Sequence, residues 1–172
     1  YLVEKGNRNI INVNKNEIYK KFNELDEAIN VVETDKALWS IIKNTKLKIR
    51  FIESTAIVIW TKGSYITGDF LDKVYFIEVH HKDLISLKIV LEKYSIAYSE
   101  KKILSKKRPI IYIKVNQKDF KIDYVENLQV IPLKELVSWC KNLYLENVLE
   151  QLDSLYGLKL KVKYSEIKTN IR

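Results

Sequence analysis

The chain of 172 residues contains no methionine, one cysteine, four glycines and two prolines. The single thiol, Cys140, cannot form an internal disulfide or a cysteine-rich zinc site, which argues against a disulfide-stabilised secreted domain. No apolar run approaches the roughly 18 residues that span a bilayer, and no signal-peptide pattern is present. We therefore expect a cytoplasmic protein with no membrane partner. The missing methionine predicts that further residues precede Tyr1.

Apolar and charged residues are both abundant. Hydrophobic residues make up 47% of the chain and charged residues 30%, which provides enough apolar surface for a folded core and argues against disorder. At about 100–200 residues per domain, the length allows one main domain with a small appendage. The sequence therefore predicts a folded protein built around a single core.

Positive charge exceeds negative charge. The 30 Lys and Arg residues against 22 Asp and Glu residues give a net charge of +8. Such an excess favours anionic partners, and nucleic acid is the commonest of these. Lysine-rich codon usage in an AT-rich genome would give the same total. The positions of the charges therefore carry more information than their sum.

Two basic clusters are candidate nucleic-acid-binding sites. The second of them contains lysines at alternate positions in the segment LKLKVKY, which would share one face of an extended strand. A charged edge strand that resists aggregation has the same pattern, so this alternative stays open. The first cluster comprises Lys101, Lys102, Lys106, Lys107 and Arg108, and the second comprises Lys159, Lys161 and Lys163.

Residues 1–32 have the pattern of a small N-terminal unit. Apolar residues flank a turn at residues 6–9, which is typical of a β-hairpin, and apolar residues recur at helical spacing from residue 17 to about residue 30. Two interpretations stay open: the wing that closes a winged-helix module, or an ordinary short hairpin. A second helix, with Thr34 as its N-cap, is predicted to begin the main domain at residues 33–172.

Within the main domain, apolar runs alternate with amphipathic segments. The order predicts a mixed β-sheet flanked by helices, an α/β (α+β) fold. Helical spacing covers residues 84–94, 133–143 and 148–155. The runs that predict strands are residues 47–51, 55–60, 74–79, 96–98, 110–115, 118–125 and 128–131.

One constellation indicates phosphoryl-transfer chemistry. Gly63-Ser64 follows the predicted strand at residues 55–60, Glu78 lies in the strand at residues 74–79, and Asp123 lies in a separate strand. Polymerase-type nucleotidyltransferases hold two Mg²⁺ ions with carboxylates and bind phosphate oxygens through a Gly-Ser turn. From about residue 34 to residue 157, the sequence resembles the nucleotidyltransferase-like superfamily.

The chain departs from the pattern that this resemblance implies. Active members carry an acid-x-acid pair on the second strand, where this chain retains at most one carboxylate, Glu78. If the protein were active, Ser64, Glu78 and Asp123 would bind the Mg²⁺-nucleotide, and the metal ligands would be Asp72, Glu78 and Asp123. Otherwise the resemblance implies neither catalytic residues nor a cofactor.

A closer resemblance is to the C-terminal domain of AbiEi-type antitoxins and related nucleotidyltransferase-like regulators. The matching motifs are Ile59-Trp60-Thr61-Lys62, the segment YFIEV at residues 75–79 with Asp83 after it, and, more loosely, PLKELVS at residues 132–138. This resemblance implies a non-catalytic regulatory protein of a toxin–antitoxin type. It also implies association with duplex DNA through a winged helix mostly before Tyr1, and a cognate toxin or other protein partner.

A metal-dependent endonuclease is the remaining alternative. Such a nuclease needs an acid and then an acid-x-Lys motif on the next strand to hold Mg²⁺ and activate water. Asp72 and Glu78 supply the acids, but His80 stands where the lysine is required. The sequence therefore predicts a DNA-associated, non-catalytic regulator first, an active Mg²⁺-dependent nucleotidyltransferase second and a nuclease third.

Overall fold

The structure is a computed structural model that describes the backbone of residues 3–5, 11–13, 15–102 and 105–160, and the side chains of residues 17–102 and 105–160. Its strands are β1 (Val3–Lys5), β2 (Ile11–Val13), β3 (Ile49–Phe51), β4 (Val74–His80), β5 (Ala97–Ser99), β6 (Ile110–Asn116), β7 (Asp123–Val125) and β8 (Leu128–Val130). Its helices are α1 (Lys15–Asn44), α2 (Glu53–Trp60), α3 (Gly68–Leu71), α4 (Leu84–Lys93), α5 (Leu133–Asn142) and α6 (Glu146–Tyr156), with a 3-10 turn at His81–Asp83.

Six strands form one mixed sheet in the order β5-β6-β4-β3-β8-β7. β5, β6 and β4 run parallel to one another, β3 is antiparallel to β4 and parallel to β8, and β7 pairs antiparallel with β8. Helices flank this sheet, so the predicted mixed α/β class is confirmed. β1 and β2 form a separate antiparallel pair, as the N-terminal pattern predicts, while the predicted turn at residues 6–9 is not among the described residues.

The central strand β4 is buried on both faces. Alternate side chains, Tyr75, Ile77 and Val79, belong to the main hydrophobic core, which also contains residues of α1, α2, α5 and α6. The intervening side chains Val74 and Phe76 belong to a smaller apolar cluster. Because side chains alternate along a strand, Glu78 shares the face of that smaller cluster. A carboxylate therefore lies next to apolar packing in the middle of the sheet.

The prediction of a strand at residues 55–60 is wrong, because these residues lie within α2. All six, from Thr55 to Trp60, are buried, and α2 packs against β4, β8 and α5. An apolar run without polar interruptions fits a buried strand or a buried helix equally well, so its periodicity cannot separate the two. Gly63-Ser64 consequently follows a helix and not a strand.

The two helices predicted on either side of residue 34 are one continuous helix, α1, of 30 residues. Thr34 does not cap a helix. Its Oγ1 donates a hydrogen bond to the carbonyl oxygen of Asn30 at 2.7 Å, within the helix, which is a common way for a mid-helix threonine to satisfy its hydroxyl. The division into residues 1–32 and 33–172 therefore falls inside a helix, and it stays a prediction.

The C-terminal segment differs from its predicted form where it is described. Residues 157–160 form no strand, and Lys159 has a left-handed φ of 56°. A left-handed residue cannot sustain the alternation of an extended strand, so the strand prediction is wrong for Lys159. Lys161 and Lys163 lie outside the described residues. In the described parts of the chain, no helix is long and apolar enough to span a membrane.

Candidate functional site

Charged residues occupy one row across the centre of the sheet. Arg50 of β3 is the register partner of Glu78 of β4, and Glu78 is in turn the partner of Lys114 of β6. Side chains at directly opposite positions on neighbouring strands lie close enough to interact. Three adjacent strands therefore place a cation, an anion and a cation side by side.

Glu78 is the centre of this row, with only 2% of its surface exposed. The guanidinium of Arg50 donates to its Oε2 from Nε at 2.7 Å, with Nη2 at 2.6 Å. On the other side, Asn116 Nδ2 donates to Oε1 at 3.1 Å, and Lys114 Nζ lies 3.5 Å from the same oxygen. Both carboxylate oxygens are thus bound by the protein's own donors, as a buried charge requires.

Arg50 is also buried, at 6% exposure, and its remaining donors are used. Nη1 donates to the carbonyl oxygen of Lys121 at 2.7 Å and forms an ion pair with Glu135 Oε2 at 2.9 Å. The guanidinium carbon lies 4.7 Å from the centroid of the Phe120 ring, which covers its face. Arg50 therefore connects β3, β4, α5 and the segment before β7.

A cleft lies over this row. One cavity of about 270 Å³ is lined by Arg50, Glu78 and Lys114 together with Glu135 and other residues of α5. A second cavity of about 180 Å³ shares some of this lining and extends toward β5, where Glu100 and Lys102 line it. We call the two together the charged cleft; the residues common to both are Ile52, Glu53 and Lys114.

The turn from β3 into α2 lines both cavities of the charged cleft through Ile52 and Glu53. Glu53 adopts a left-handed φ of 51°, a conformation that favours glycine, and its Oε2 accepts from Lys102 Nζ at 2.7 Å. The next hydroxyl, Ser54 Oγ, is buried and has no hydrogen-bond partner among the described residues. The turn that directly follows a strand is therefore the one at residues 52–54, about ten residues before Gly63-Ser64, which was predicted to follow a strand.

The three residues predicted for an active enzyme are not brought together. Ser64 Oγ donates to the carbonyl oxygen of Thr61 at 2.7 Å and accepts from Gln151 Nε2 at 2.9 Å, which ties the turn after α2 to α6. Asp123 lies in β7, where it pairs with Val130 of β8. In the sheet order, β7 is three strands away from β4, which carries Glu78, and three strand spacings correspond to about 14 Å. Asp123 lines a different groove, of about 660 Å³, together with Trp60 and Lys134.

The predicted metal ligands are also dispersed. Asp72 is exposed at the C-cap of α3, just before the first residue of β4, whereas Glu78 is the fifth residue of that strand. Four residue steps of strand alone correspond to about 13 Å. No group of three or more His, Cys, Asp or Glu residues that could hold a metal ion occurs within the described ranges. Asp72, Glu78 and Asp123 therefore do not fit a shared Mg²⁺ site.

The first basic cluster forms a loop between the parallel neighbours β5 and β6, at one edge of the sheet. We call residues 101–108 the basic loop; residues 103 and 104 in it are not described. Lys102 is held against Glu53, with Nζ 4.9 Å from the centroid of the Phe76 ring. Arg108 Nη1 donates to the carbonyl oxygens of Ser105 at 2.6 Å and Lys107 at 2.8 Å. Two of the five predicted cations thus bind the protein itself.

The other three cations of the basic loop face solvent. Lys101, Lys106 and Lys107 are exposed, and their ammonium groups make no ion pair or hydrogen bond with the described residues. The acid beside them, Glu100, is bound to Lys88 at 2.5 Å, and this contact raises the pKa of the Lys88 ammonium. The loop therefore presents three cations while the nearest carboxylate is engaged elsewhere.

Cys140 is fully buried on α5, and its burial raises the pKa of the thiol to about 12. A thiol with such a pKa is almost entirely protonated near neutral pH, and the protonated form is a poor nucleophile. Cys140 belongs to the main hydrophobic core. The thiol contributes packing and not chemistry.

Sequence reasoning did not identify the cationic residues of the charged cleft. Arg50 lies between Ile49 and Phe51 in the segment LKIRF, and Lys114 is the one charge in the segment IIYIKV. Charged side chains are rarely buried unless they are paired, so an arginine within such a run is a signal of a buried ion pair. The partner could not be read from the sequence, because Arg50 and Glu78 are 28 residues apart.

Comparison of the chain with protein-family models, with curated proteins and with solved structures finds no match.

Proposed function

We propose that this protein is a non-catalytic, nucleotidyltransferase-like regulatory protein that associates with duplex DNA, in the manner of an antitoxin or a transcriptional regulator. The observation that carries the proposal is the buried ion pair between Arg50 and Glu78. The carboxylate that the resemblance places on the second strand as a metal ligand is bound to an arginine of the same protein.

This pair is incompatible with Mg²⁺ binding at Glu78. Mg²⁺ takes oxygen ligands at about 2.0–2.1 Å in near-octahedral geometry and prefers carboxylates with accessible oxygens. Here Oε2 accepts from Arg50, and Oε1 accepts from Asn116 with Lys114 nearby. A metal ion would have to displace a guanidinium group from a buried position. The internal partners of Glu78 thus favour a structural role for this carboxylate over metal binding.

The start of α2 supports the same conclusion. In a phosphate-binding turn, backbone N–H groups at a helix N-terminus face the anion. In this chain Glu53 is the first residue of α2, and its carboxylate is bound by Lys102. A nucleotide triphosphate would meet a negative charge at this position. The charged cleft thus lacks two features that nucleotide transfer requires: a carboxylate with accessible oxygens for Mg²⁺, and a phosphate-binding turn without a negative charge.

The basic loop supports a role in DNA association. Lys101, Lys106 and Lys107 are exposed cations on a segment that contains no acid from residue 101 to residue 108. Lysines without internal partners can neutralise phosphates and release counterions, which provides most of the non-specific affinity for DNA. The site is one patch of a larger interface, and the resemblance implies a winged helix as another part.

The test is duplex DNA binding by the chain, measured by fluorescence anisotropy at several salt concentrations. We expect the triple variant Lys101→Gln, Lys106→Gln, Lys107→Gln to lose affinity on the order of tenfold and to reduce the slope of log K against log [salt] by up to about 3, at about 0.9 per phosphate contact. The matched control neutralises three exposed lysines elsewhere: Lys46, Lys62 and Lys141. Equal losses in both variants would contradict the assignment of the basic loop.

A separate assay addresses catalysis. The chain is incubated with labelled nucleoside triphosphates, Mg²⁺ and nucleic acid or protein acceptors, and we expect no transfer. Transfer that requires Mg²⁺ and disappears in the variant Asp123→Ala would overturn the non-catalytic proposal in favour of an active nucleotidyltransferase. Cleavage of the DNA in the same mixture would favour the nuclease.

A further inference from the structure

The N-terminal half of α1 extends away from the core. Every residue from 17 to 30 is exposed, whereas Leu38 and Ile42, further along the same helix, are buried. We call residues 17–32 the α1 arm. Helices in proteins take most of their stability from the packing of an apolar face, and the described residues provide no such packing for residues 17–30.

The α1 arm carries an apolar stripe. The five residues of the stripe follow one another at intervals of four, three, four and three residues, which is the a/d spacing of a coiled-coil heptad. All five are exposed, from 37% for Ile18 to 66% for Phe22. The stripe consists of Ile18, Phe22, Leu25, Ile29 and Val32.

The stripe ends where the helix meets the sheet. The next heptad position is Lys36, an exposed residue, and the one after it is Trp39, whose ring packs on Phe51, Phe70 and Tyr75. The stripe thus comprises five apolar positions, and beyond Lys36 the same side of the helix packs within the chain. The stripe has the length of about two heptads.

We propose that the α1 arm forms a parallel, in-register, two-stranded coiled coil with a second copy of this chain. A heptad stripe is complementary to itself, because each apolar residue of one helix inserts between four residues of an identical facing helix. In the parallel arrangement all five apolar positions are paired with their equivalents. The stripe that no described residue of its own chain covers is then covered by the same stripe of another copy.

The charges beside the stripe favour this arrangement. In the register set by the stripe, Lys21 occupies a g position and Asp26 an e position. In a parallel coiled coil, a g residue contacts the e residue five positions later on the partner helix, so Lys21 meets Asp26 of the second copy, twice by symmetry. Antiparallel helices place e beside e and g beside g, and so do not form this contact.

Dimerisation through the α1 arm does not depend on the proposed function, because it involves none of the residues of the charged cleft or the basic loop. Its test contains no nucleic acid, so the two proposals can fail separately. The mass of the 172-residue chain, 20.4 kDa, is measured by sedimentation equilibrium over a wide range of concentrations. We expect a monomer–dimer equilibrium, with the dimer dissociation constant raised on the order of a hundredfold by Leu25→Glu. The control variant Ile85→Glu changes a 72%-exposed apolar residue of α4 and should leave the equilibrium unchanged.

Charge reversal tests the parallel register. Asp26→Lys should weaken the dimer by placing Lys21 beside a lysine, and the double variant Lys21→Glu, Asp26→Lys should restore it by exchanging the two charges. A chain that is monomeric at all concentrations, or a dimer that Leu25→Glu leaves intact, would overturn the proposal. A dimer that the double variant fails to restore would overturn the parallel register. Cooperative urea unfolding checks that each variant keeps the folded sheet and its flanking helices, because the α1 arm itself is expected to lose helix when the dimer dissociates.

Discussion

The charged cleft and the basic loop differ in what binds their charges. In the cleft, Arg50 and Glu78 are almost completely buried and are bound to each other and to neighbouring groups. In the loop, Lys101, Lys106 and Lys107 are exposed and make no ion pair with the described residues. Lys102 connects the two regions, because it belongs to the loop but binds Glu53 in the cleft.

The difference indicates how the two regions contribute to the protein. A buried charge must have partners inside the protein, so its removal affects stability first. An exposed cation costs little to maintain and is available to an external anion, so its removal affects binding first. We therefore expect substitutions in the cleft to change the free energy of unfolding, and substitutions in the loop to change affinity for DNA.

The largest expected effect follows removal of Arg50. Arg50→Met leaves the buried carboxylate of Glu78 without its main partner, and we expect a loss of about 3–5 kcal/mol in the free energy of unfolding, measured with urea. The double variant Arg50→Met, Glu78→Leu removes both charges and should recover most of that loss. If Arg50→Met cost less than the exposed-pair variant Lys88→Met, the buried network would not be the stabilising feature that we describe.

A smaller effect is expected at Glu53, where the cleft meets the start of α2. Its φ of 51° is unfavourable for a residue with a side chain, so Glu53→Gly relieves strain of about 1 kcal/mol that Glu53→Ala retains. Both variants lose the ion pair with Lys102, an exposed contact that contributes about 0–1 kcal/mol. We expect the glycine variant to unfold at higher temperature than the alanine variant. The reverse order would show that Glu53 is not strained.

The smallest effect on stability is expected in the basic loop. The triple variant of Lys101, Lys106 and Lys107 to glutamine should change the free energy of unfolding by no more than about 0.5 kcal/mol, because these side chains have no partner to lose among the described residues. Arg108→Gln removes hydrogen bonds to two loop carbonyls and should cost about 1 kcal/mol. Urea unfolding of both variants measures the difference. A triple variant that is less stable than Arg108→Gln would contradict the division of the loop into bound and unbound cations.

Much of the fold follows from local patterns. β4 and β6 are long β-branched runs, and α5 and α6 have apolar residues at helical spacing with Gly157 in a left-handed conformation at the end of α6, so their types were predicted. The segment at residues 55–60 was assigned to the wrong type, because complete burial removes the alternation that separates a helix from a strand.

Less of the candidate site could be predicted. The sequence identified Glu78 as the one acid on its strand, and it identified the five cations of the basic loop. It could not show that Arg50 lies opposite Glu78, or that Arg108 and Lys102 are bound internally while Lys101 remains exposed. These contacts join residues distant in sequence or depend on the path of a loop, and neither has a local signal.

By itself, the sequence determined the elements and the charge of the protein, because helical spacing, β-branched runs and lysine clusters act through neighbouring residues. Only the tertiary structure decided which charges remain available. The pairing of β3 with β4 places Arg50 against Glu78 and so converts a candidate metal ligand into a buried ion pair. The physical reason is that a charge buried away from water must bind the groups the fold brings to it, whereas an exposed one keeps its water and stays free to bind a partner.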